Sequence, residues 1–331
     1  MIALVTGGGG FLGRYIVEML LARGAVVRVI ARGSYPELEA RGVQMFRGDL
    51  SETDQLPAAC AGAEVVFHVA ALAGIWGKWE WYQRSNVLGT ERVIEACQAA
   101  GVPRLVFCSS PSVTFDGTDQ KGVDESVPYP ETWLSHYPRS KALAEQAVLA
   151  ANGVEGLKTC ALRPHLIWGP RDTHLIPRLI DRAKSGKLRI VGDGKNLVDM
   201  VYVENAAQAH LLAADALLGE APAAGKAYFI SQGGPVRCWD WINEILKLAE
   251  VPPVRRKISA SLATTAGGVL EWVYRKRGKF EEEPRMTRFL ARQLSTDHYF
   301  DISAARQDLG YRPEVSSEEG MRRLGEWLAS R

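Results

Sequence analysis

Short apolar runs alternate with helical patterns along the first half of the sequence, and this alternation restricts the chain to few folds. Six runs predict strands, at Ile2–Val5, Val26–Ala31, Val43–Phe46, Glu64–Val69, Arg104–Cys108 and Leu157–Leu162. Runs such as VVRVIA have no polar alternation and are typical of strands buried on both faces. Helical patterns lie between them, at Leu12–Ala22, Asn86–Ala100 and Lys141–Ala150. The alternation predicts an α/β fold, a doubly wound parallel sheet covered by helices.

The pattern changes after Arg163-Pro164, where prolines and glycines become frequent. We predict one domain over residues 1–162 and a smaller, mainly helical lobe over residues 163–331, which re-enters the sheet near residues 226–231. The length of 331 residues, with 47% hydrophobic and 24% charged residues, is ordinary for globular proteins. A net charge of +2 gives no global field that would recruit nucleic acid.

The cysteines and the hydropathy pattern indicate the compartment. Five cysteines are scattered without CxxC spacing, which argues against a disulfide framework or a metal site: Cys60, Cys97, Cys108, Cys160 and Cys238. No uncharged apolar run reaches about 18 residues, and the N-terminus is interrupted by glycines too early for a signal peptide. We expect a cytoplasmic protein without a metal.

A glycine-rich loop follows the first predicted strand and precedes a helix. Its TGxxGxxG pattern is built on Gly7, Gly10 and Gly13, and Phe11 and Leu12 begin the helical pattern. Glycines allow a tight turn and a close approach of the backbone to a pyrophosphate, which then meets the positive end of the helix dipole. In this context the loop predicts a Rossmann-type dinucleotide-binding domain.

The end of the second strand indicates which nicotinamide cofactor binds. NAD-binding domains usually carry a carboxylate there, but this strand ends in Arg32, whose guanidinium suits the 2′-phosphate of NADP(H). NAD remains the alternative if Arg32 is only a solvated surface charge. We expect Asp49 and Leu50 to lie near the adenine, and Ala70, after the fourth strand, to leave room for the cofactor.

A YxxxK pattern places Tyr137 and Lys141 on one face of a helix. A phenol has a pKa near 10, and a neighbouring ammonium lowers it, so we expect Lys141 to lower the pKa of Tyr137. Hydroxyl groups end the preceding strand in Ser109-Ser110-Pro111-Ser112. This combination predicts proton transfer at a carbonyl carbon.

Seven segments, in order, resemble the extended short-chain dehydrogenases/reductases: TGGGGFLG, RGDL, FHVAA, NVLGT, SSPSV, YPRSK and RPHLIWGP. The resemblance spans nearly the whole chain. It implies that Ser110 polarises the substrate oxygen, with Ser109 and Ser112 as alternatives. It also implies that Tyr137 is the acid/base, that Lys141, besides its proximity to Tyr137, holds the nicotinamide ribose, and that Asn86 supports them.

The second half resembles the 3β-hydroxysteroid dehydrogenase branch of that family. Residues 163–178 are most similar to bacterial members that reduce long-chain 2-alkyl-3-keto acids with NADPH in olefin biosynthesis. The resemblance therefore implies a ketoreductase, with a 3β-hydroxysteroid or sterol dehydrogenase as the alternative. An NAD-dependent sugar-nucleotide epimerase agrees less well with Arg32. A non-catalytic nucleotide-binding protein agrees less well with an intact Tyr137 and Lys141.

Aromatic and basic side chains are candidates for substrate contacts. Four tryptophans are expected near the mouth of the site, unless they only pack the lobe: Trp76, Trp79, Trp81 and Trp168. A further set could supply positive charge to a substrate carboxylate: His165, Arg171, His174 and Arg178.

An apolar stretch, Ile258–Tyr274, is flanked by basic clusters within residues 255–279. Apolar residues between basic ends are typical of a helix at an interface. We expect this stretch to pack over the substrate entrance and to contact a partner protein or a membrane surface, with an ordinary lobe helix as the alternative. The family resemblance also implies a homodimer.

Overall fold

The structure, a computed structural model, describes residues 1–331 and contains fifteen strands and thirteen α-helices. The strands are β1 (Ile2–Thr6), β2 (Val26–Ala31), β3 (Gln44–Arg47), β4 (Val65–His68), β5 (Arg104–Cys108), β6 (Gln120–Val123), β7 (Lys158–Pro164), β8 (Ile167–Trp168), β9 (Ile190–Val191), β10 (Leu197–Val198), β11 (Val201–Tyr202), β12 (Lys226–Ile230), β13 (Val236–Arg237), β14 (Lys257–Ile258) and β15 (His298–Phe300). The helices are α1 (Phe11–Ala22), α2 (Pro36–Glu39), α3 (Leu56–Cys60), α4 (Trp79–Tyr82), α5 (Gly89–Ala99), α6 (His136–Ala150), α7 (Leu175–Lys184), α8 (Val203–Asp215), α9 (Cys238–Leu248), α10 (Ala260–Lys276), α11 (Arg288–Gln293), α12 (Ser303–Asp308) and α13 (Ser317–Ala329).

Seven strands form one parallel sheet with the order β12-β7-β5-β4-β1-β2-β3. This sheet confirms the predicted doubly wound fold, and the six apolar runs of the first half all lie in it. The order reverses at β1, where Thr6 pairs with Ile30 on one side and His68 on the other. At such a reversal the carboxyl ends of the strands leave a crevice in which ligands bind.

Helices cover both faces of the sheet and close two apolar cores. On one face, α1 and α8 pack against each other and over buried side chains of β1, β2 and β7. On the other face, α3, α5 and α6 pack over β1, β4 and β5. Since α8 and β12 come from the second half of the chain, residues beyond 162 complete the sheet and its first core.

A third apolar core lies in the C-terminal lobe, where side chains of α7, α9 and α13 meet. Trp168 is fully buried in this core, edge-on to Tyr202 and to Trp241. The expected position of Trp168 at the mouth of the site is therefore wrong, because its indole ring fills the interior of the lobe.

The helices near the crevice begin at different residues from those that the periodicity predicts. Helix α6 begins at His136, so the proline of the YxxxK pattern lies in its first turn, where a missing N–H is tolerated. Before α5, residues Gln83–Leu88 form a π-helical turn in place of a regular α-helix from Asn86. Such turns occur frequently at functional sites. None of the helices is both long and apolar enough to cross a bilayer.

Candidate active site

The loop between β1 and α1 brings backbone N–H groups to the carboxyl end of the sheet. Gly7 has a φ of +69°, and a Cβ there would lie 2.8 Å from the Ala70 Cα. A Cβ on Gly13 would lie 2.3 Å from the Gly7 carbonyl oxygen, too close for any side chain. Gly10 caps α1 without a side-chain hydrogen bond, so the first amides of the helix can reach an anion. The loop therefore fits the pyrophosphate of a dinucleotide.

A cavity of about 480 Å³ opens at this loop and is hereafter called the cofactor cavity. The structure brings together every residue predicted to bind the cofactor, since all of them line this cavity: Gly7, Gly10, Phe11, Leu12, Gly13, Arg32, Asp49, Leu50, Ala70, Tyr137 and Lys141. Tyr35 also lines it and was missed; a Cβ on Gly9 would lie 2.1 Å from its ring. Its position three residues after Arg32 is the signal that could have identified it.

Two arginines near the end of β2, Arg14 and Arg32, differ in their hydrogen-bond and ion-pair partners. Arg14 is paired with Glu37 and donates a hydrogen bond to the Gly9 carbonyl at 3.1 Å, so it stabilises the loop. The Arg32 backbone carbonyl accepts a hydrogen bond from the Arg47 Nε at 3.2 Å, whereas the Arg32 side chain makes no hydrogen bond. The Arg32 guanidinium therefore remains available to an anion in the cofactor cavity.

Tyr137 and Lys141 lie one turn apart on α6, beside the end of β5. The Lys141 Nζ donates a hydrogen bond to the Cys108 carbonyl at 2.6 Å, and burial lowers the pKa of Lys141 to about 8. Burial, with the nearby Cys108 thiol, raises the pKa of the Tyr137 phenol. The expected lowering of that pKa by Lys141 is therefore wrong in this structure, because desolvation dominates and the ammonium is directed at Cys108. Tyr137 keeps its proton at neutral pH.

The serines after β5 divide between two cavities. Ser109 lines the cofactor cavity, whereas Ser110 and Ser112 line a second one together with Tyr137. The Ser110 and Ser112 hydroxyl oxygens are 2.8 Å apart. The nearby Ser110 hydroxyl acts to lower the pKa of Tyr137, against the larger effect of burial, which raises it. Ser110 is thus placed to reach one substrate oxygen jointly with Tyr137.

Asn86 lies beneath this group and lines neither cavity. Its carboxamide oxygen accepts a hydrogen bond from the Leu72 N–H at 2.7 Å, and its Nδ2 donates to the Ser140 hydroxyl at 2.9 Å. Ser140 in turn donates to the Tyr137 carbonyl at 2.8 Å. Asn86 therefore ties the loop after β4 to the first turn of α6.

The second cavity, hereafter the substrate cavity, has a volume of about 590 Å³. It adjoins the cofactor cavity, since Tyr137 and His174 line both. More than half of its lining residues are apolar, among them Leu179, Ile242 and Phe289 from three different helices. A cavity lined by more apolar than polar residues, with Tyr137 where it meets the cofactor cavity, suits a substrate with a large hydrocarbon part.

Two of the four side chains expected to contact a substrate carboxylate remain candidates after comparison with the structure, and two do not. Arg171 makes a bidentate ion pair with Glu18, at 2.8 and 2.9 Å, and does not line the substrate cavity. His165 lines the cavity, but burial lowers its pKa well below the usual value, so its ring is neutral. His174 and Arg178 both line the substrate cavity.

The other tryptophans lie at or near a hollow beside the substrate cavity, hereafter called the entrance hollow. Trp76 and Trp79 line a neighbouring hollow that shares Ile75 with the substrate cavity. Trp76 stacks on Phe280, with ring centroids 6.3 Å apart. Trp81 lies on the adjacent turn and is 36% exposed. These rings give the entrance an aromatic surface.

The stretch between the basic clusters forms α10. Its inner side closes the entrance hollow through Glu271 and Arg275. Its outer side carries Leu262, Val269 and Trp272, which are 59%, 56% and 61% exposed. Spacings of seven and three residues place these three side chains on one face of the helix.

This sheet, the glycine loop and the Tyr-Lys pair at the crevice are those of the extended short-chain dehydrogenases/reductases, and the family and relatives of the chain make it an NAD(P)-dependent oxidoreductase. Comparison with known proteins narrows the class. The chain belongs to the 3-beta hydroxysteroid dehydrogenase/isomerase family, whose sequence profile matches residues 4–259.

Individual relatives cover almost the whole chain. The 2-alkyl-3-oxoalkanoate reductase of Shewanella oneidensis is 51% identical over 329 residues, which are 97% of this chain and 85% of that protein. The sterol-4-alpha-carboxylate 3-dehydrogenase, decarboxylating, of Homo sapiens is 37% identical over 324 residues, covering 96% and 86%. Among solved structures, MoeE5 in complex with UDP-glucose and NAD has a TM-score of 0.75 and 28% identity, covering 100% of this chain and 99% of that chain.

Proposed function

We propose that this protein is an NADPH-dependent ketoreductase that converts a long-chain 2-alkyl-3-oxoalkanoic acid to the 2-alkyl-3-hydroxy acid. The observation that carries the proposal is an apolar cavity that meets the cofactor cavity at Tyr137, with Ser110 on the same wall. The names of two relatives support an acid substrate. Both describe a molecule with a carboxylate on the carbon next to the one that is oxidised or reduced.

Each side chain of the site has a separate role in the reaction at the carbonyl carbon. The nucleotide, when bound, supplies the hydride. Ser110 hydrogen-bonds the substrate oxygen, and Tyr137 gives its proton to that oxygen as the alcohol forms. The raised pKa of Tyr137 keeps the phenol protonated at neutral pH, so the proton is present when the substrate oxygen becomes negative. Lys141 is the cation placed for the ribose, and Asn86 holds the first turn of α6 in position.

A 3β-hydroxysteroid or sterol dehydrogenase is the second candidate, favoured by the family description and by the name of the human relative. Both candidates use the same proton-transfer group, so only the substrate separates them. Each methylene added to an alkyl arm buries more apolar surface in the cavity, whereas a rigid fused ring system either fits the cavity as a whole or does not bind.

Oxidation of stable 2-alkyl-3-hydroxy acids with NADP⁺ tests the substrate class. We expect kcat/KM to rise severalfold for each added methylene until the cavity is full, because each buried methylene contributes about 0.8 kcal/mol. Initial rates for a chain-length series and for a 3β-hydroxysteroid of similar size give the measurement. A faster reaction with the steroid would assign the chain to the second candidate, and a flat series would exclude long alkyl arms.

Substitution Arg32→Asp tests the cofactor. The preference for NADPH over NADH should fall at least ~10-fold, because a charge-assisted contact to the 2′-phosphate contributes about 1.5–3 kcal/mol. The ratio of kcat/KM for the two nucleotides is the measurement. Arg41→Asp makes the same charge change outside the cofactor cavity and should leave the ratio unchanged. An unchanged ratio in the Arg32 variant would mean that NAD is the native cofactor or that other residues bind the phosphate.

We also propose that α10 docks on an anionic membrane surface, through which an apolar substrate reaches the entrance. The exposed apolar face lies between basic residues at both ends of the helix: Arg255, Arg256, Lys257, Arg275, Lys276 and Arg277. An apolar face flanked by positive charge matches the headgroup region of an anionic bilayer.

Co-sedimentation with anionic vesicles at low salt tests this docking. The double variant Leu262→Ser/Trp272→Ser should lower vesicle binding at least ~10-fold, since each buried apolar side chain contributes about 1.5–3 kcal/mol. Val154→Ser removes a similarly exposed apolar side chain elsewhere and serves as the control. If the wild-type protein stays in the supernatant, the membrane is excluded and a partner protein becomes the occupant of this face.

A further inference from the structure

Glu283 is the one carboxylate in the wall of the substrate cavity, and two arginines bind it. The Arg182 guanidinium donates to Glu283 Oε1 at 3.0 Å, and Arg178 donates to the same oxygen. All three side chains line the substrate cavity. Glu283 lies in the loop after α10, whereas both arginines lie on α7, so this contact joins the entrance helix to the cavity wall.

The charges in the cavity do not balance. Glu283 is the only carboxylate among the lining residues, and it faces two guanidiniums. Of the lining histidines, His165 and His298 have pKa values lowered by burial, so they add no positive charge at neutral pH. Each guanidinium has five N–H donors, and the two share one oxygen of Glu283. The cavity therefore keeps an excess positive charge and spare donors, which a second carboxylate would satisfy.

The position of the arginines suits the proposed substrate. His174, at the start of α7, lines both cavities. Arg178 and Arg182 follow one and two turns later, about 6 and 12 Å along the helix axis. An arginine side chain spans a large part of that distance, so the donors can approach an acid group near the reacting end of the substrate.

We infer that Arg178 and Arg182 form a carboxylate-binding subsite of the substrate cavity, and that Glu283 is an internal carboxylate that competes with the substrate for it. The inference rests on the proposed function and makes it more specific, because it assigns the residues that select an acid over the corresponding alcohol. A purely structural ion pair would only fix the loop after α10, and it would affect acids and alcohols alike.

Binding of decanoate and 1-decanol, measured by calorimetry, separates these two roles without requiring turnover. Arg182→Met should weaken decanoate binding at least ~10-fold, because a charge-assisted contact is lost, and should leave 1-decanol unchanged. Arg182→Lys should restore part of the decanoate affinity. Glu283→Gln keeps the size and a neutral acceptor but removes the competing charge, so decanoate should bind severalfold more tightly. Thermal unfolding of each variant checks that it is folded.

Two results would overturn the subsite: parallel changes for decanoate and 1-decanol in the Arg182 variants, or weaker decanoate binding in Glu283→Gln. Oxidation of the hydroxy acids is measured in a separate assay, so the proposed function and the subsite can fail independently. If decanoate follows the expected pattern but the wild-type protein oxidises no 2-alkyl-3-hydroxy acid, the proposed function is wrong and the subsite stands. If the hydroxy acids react but decanoate and 1-decanol respond alike, the function stands and the subsite is wrong.

Discussion

Replacing Tyr137 by Phe should lower turnover at least ~100-fold while NADPH still binds, because only the hydroxyl that transfers the proton is removed. The phenyl ring keeps its place at the boundary of the two cavities, so the cavity walls stay intact. Steady-state oxidation of a 2-alkyl-3-hydroxy acid gives kcat, and a fluorescence titration gives the NADPH dissociation constant.

Tyr82→Phe is the matched control for this substitution. Tyr82 is also buried near the site, but its hydroxyl donates to the Gly74 and Trp76 carbonyls, at 3.1 and 2.8 Å, and lines neither cavity. It should retain most of the turnover. A Tyr137→Phe variant with more than about a tenth of wild-type kcat would refute the acid/base role, since positioned proton transfer contributes at least ~100-fold.

Replacing Glu145 by Leu should lower the free energy of unfolding by about 3–5 kcal/mol, because it leaves a buried guanidinium without its counter-charge. Glu145 lies on α6 and is fully buried, and the Arg163 side chain, at the end of β7, is only 4% exposed. Their closest contact is 2.6 Å, and the Tyr129 hydroxyl donates to the same carboxylate at 2.7 Å. Urea unfolding followed by circular dichroism measures the loss.

A double variant separates the unpaired charge from the loss of packing. Glu145→Leu/Arg163→Met replaces both ions by apolar side chains and should recover much of the stability, since such replacements are often close to neutral. Glu319→Gln, in a solvent-exposed ion pair with Arg322, should leave the midpoint unchanged. A single Glu145 variant as stable as the wild type would show that the ion pair does not anchor α6 to the sheet.

The parts of the site that could be predicted from the sequence depend on residues close together in the chain. Gly7, Gly10 and Gly13 specify a turn and a helix start through their own backbone requirements. Tyr137 and Lys141 share a helix face because they are four residues apart. The strands of the sheet could be predicted as well, because strands buried on both faces must be apolar along their whole length.

Contacts between distant segments could not be predicted in this way. Glu283 and Arg178 are 105 residues apart, and no periodicity links them. Trp168 is a second example. The sequence is compatible with a position either at the mouth of the site or in the packing of the lobe, and only its burial against Tyr202 decides between them. The pKa of Tyr137 was misjudged because a spacing of four residues gives proximity to Lys141 but not the extent of burial, which dominates here.

The contribution of α8 and β12 to the first core has a consequence for how this chain could be cut or recombined. A fragment ending at residue 162 would expose β7 as an open sheet edge and uncover the face of α1 that α8 buries. We therefore expect such a fragment not to fold on its own, even though it holds the whole glycine loop and the Tyr-Lys pair. An exchange of lobes between relatives would therefore have to leave α8 and β12 with the sheet that they complete.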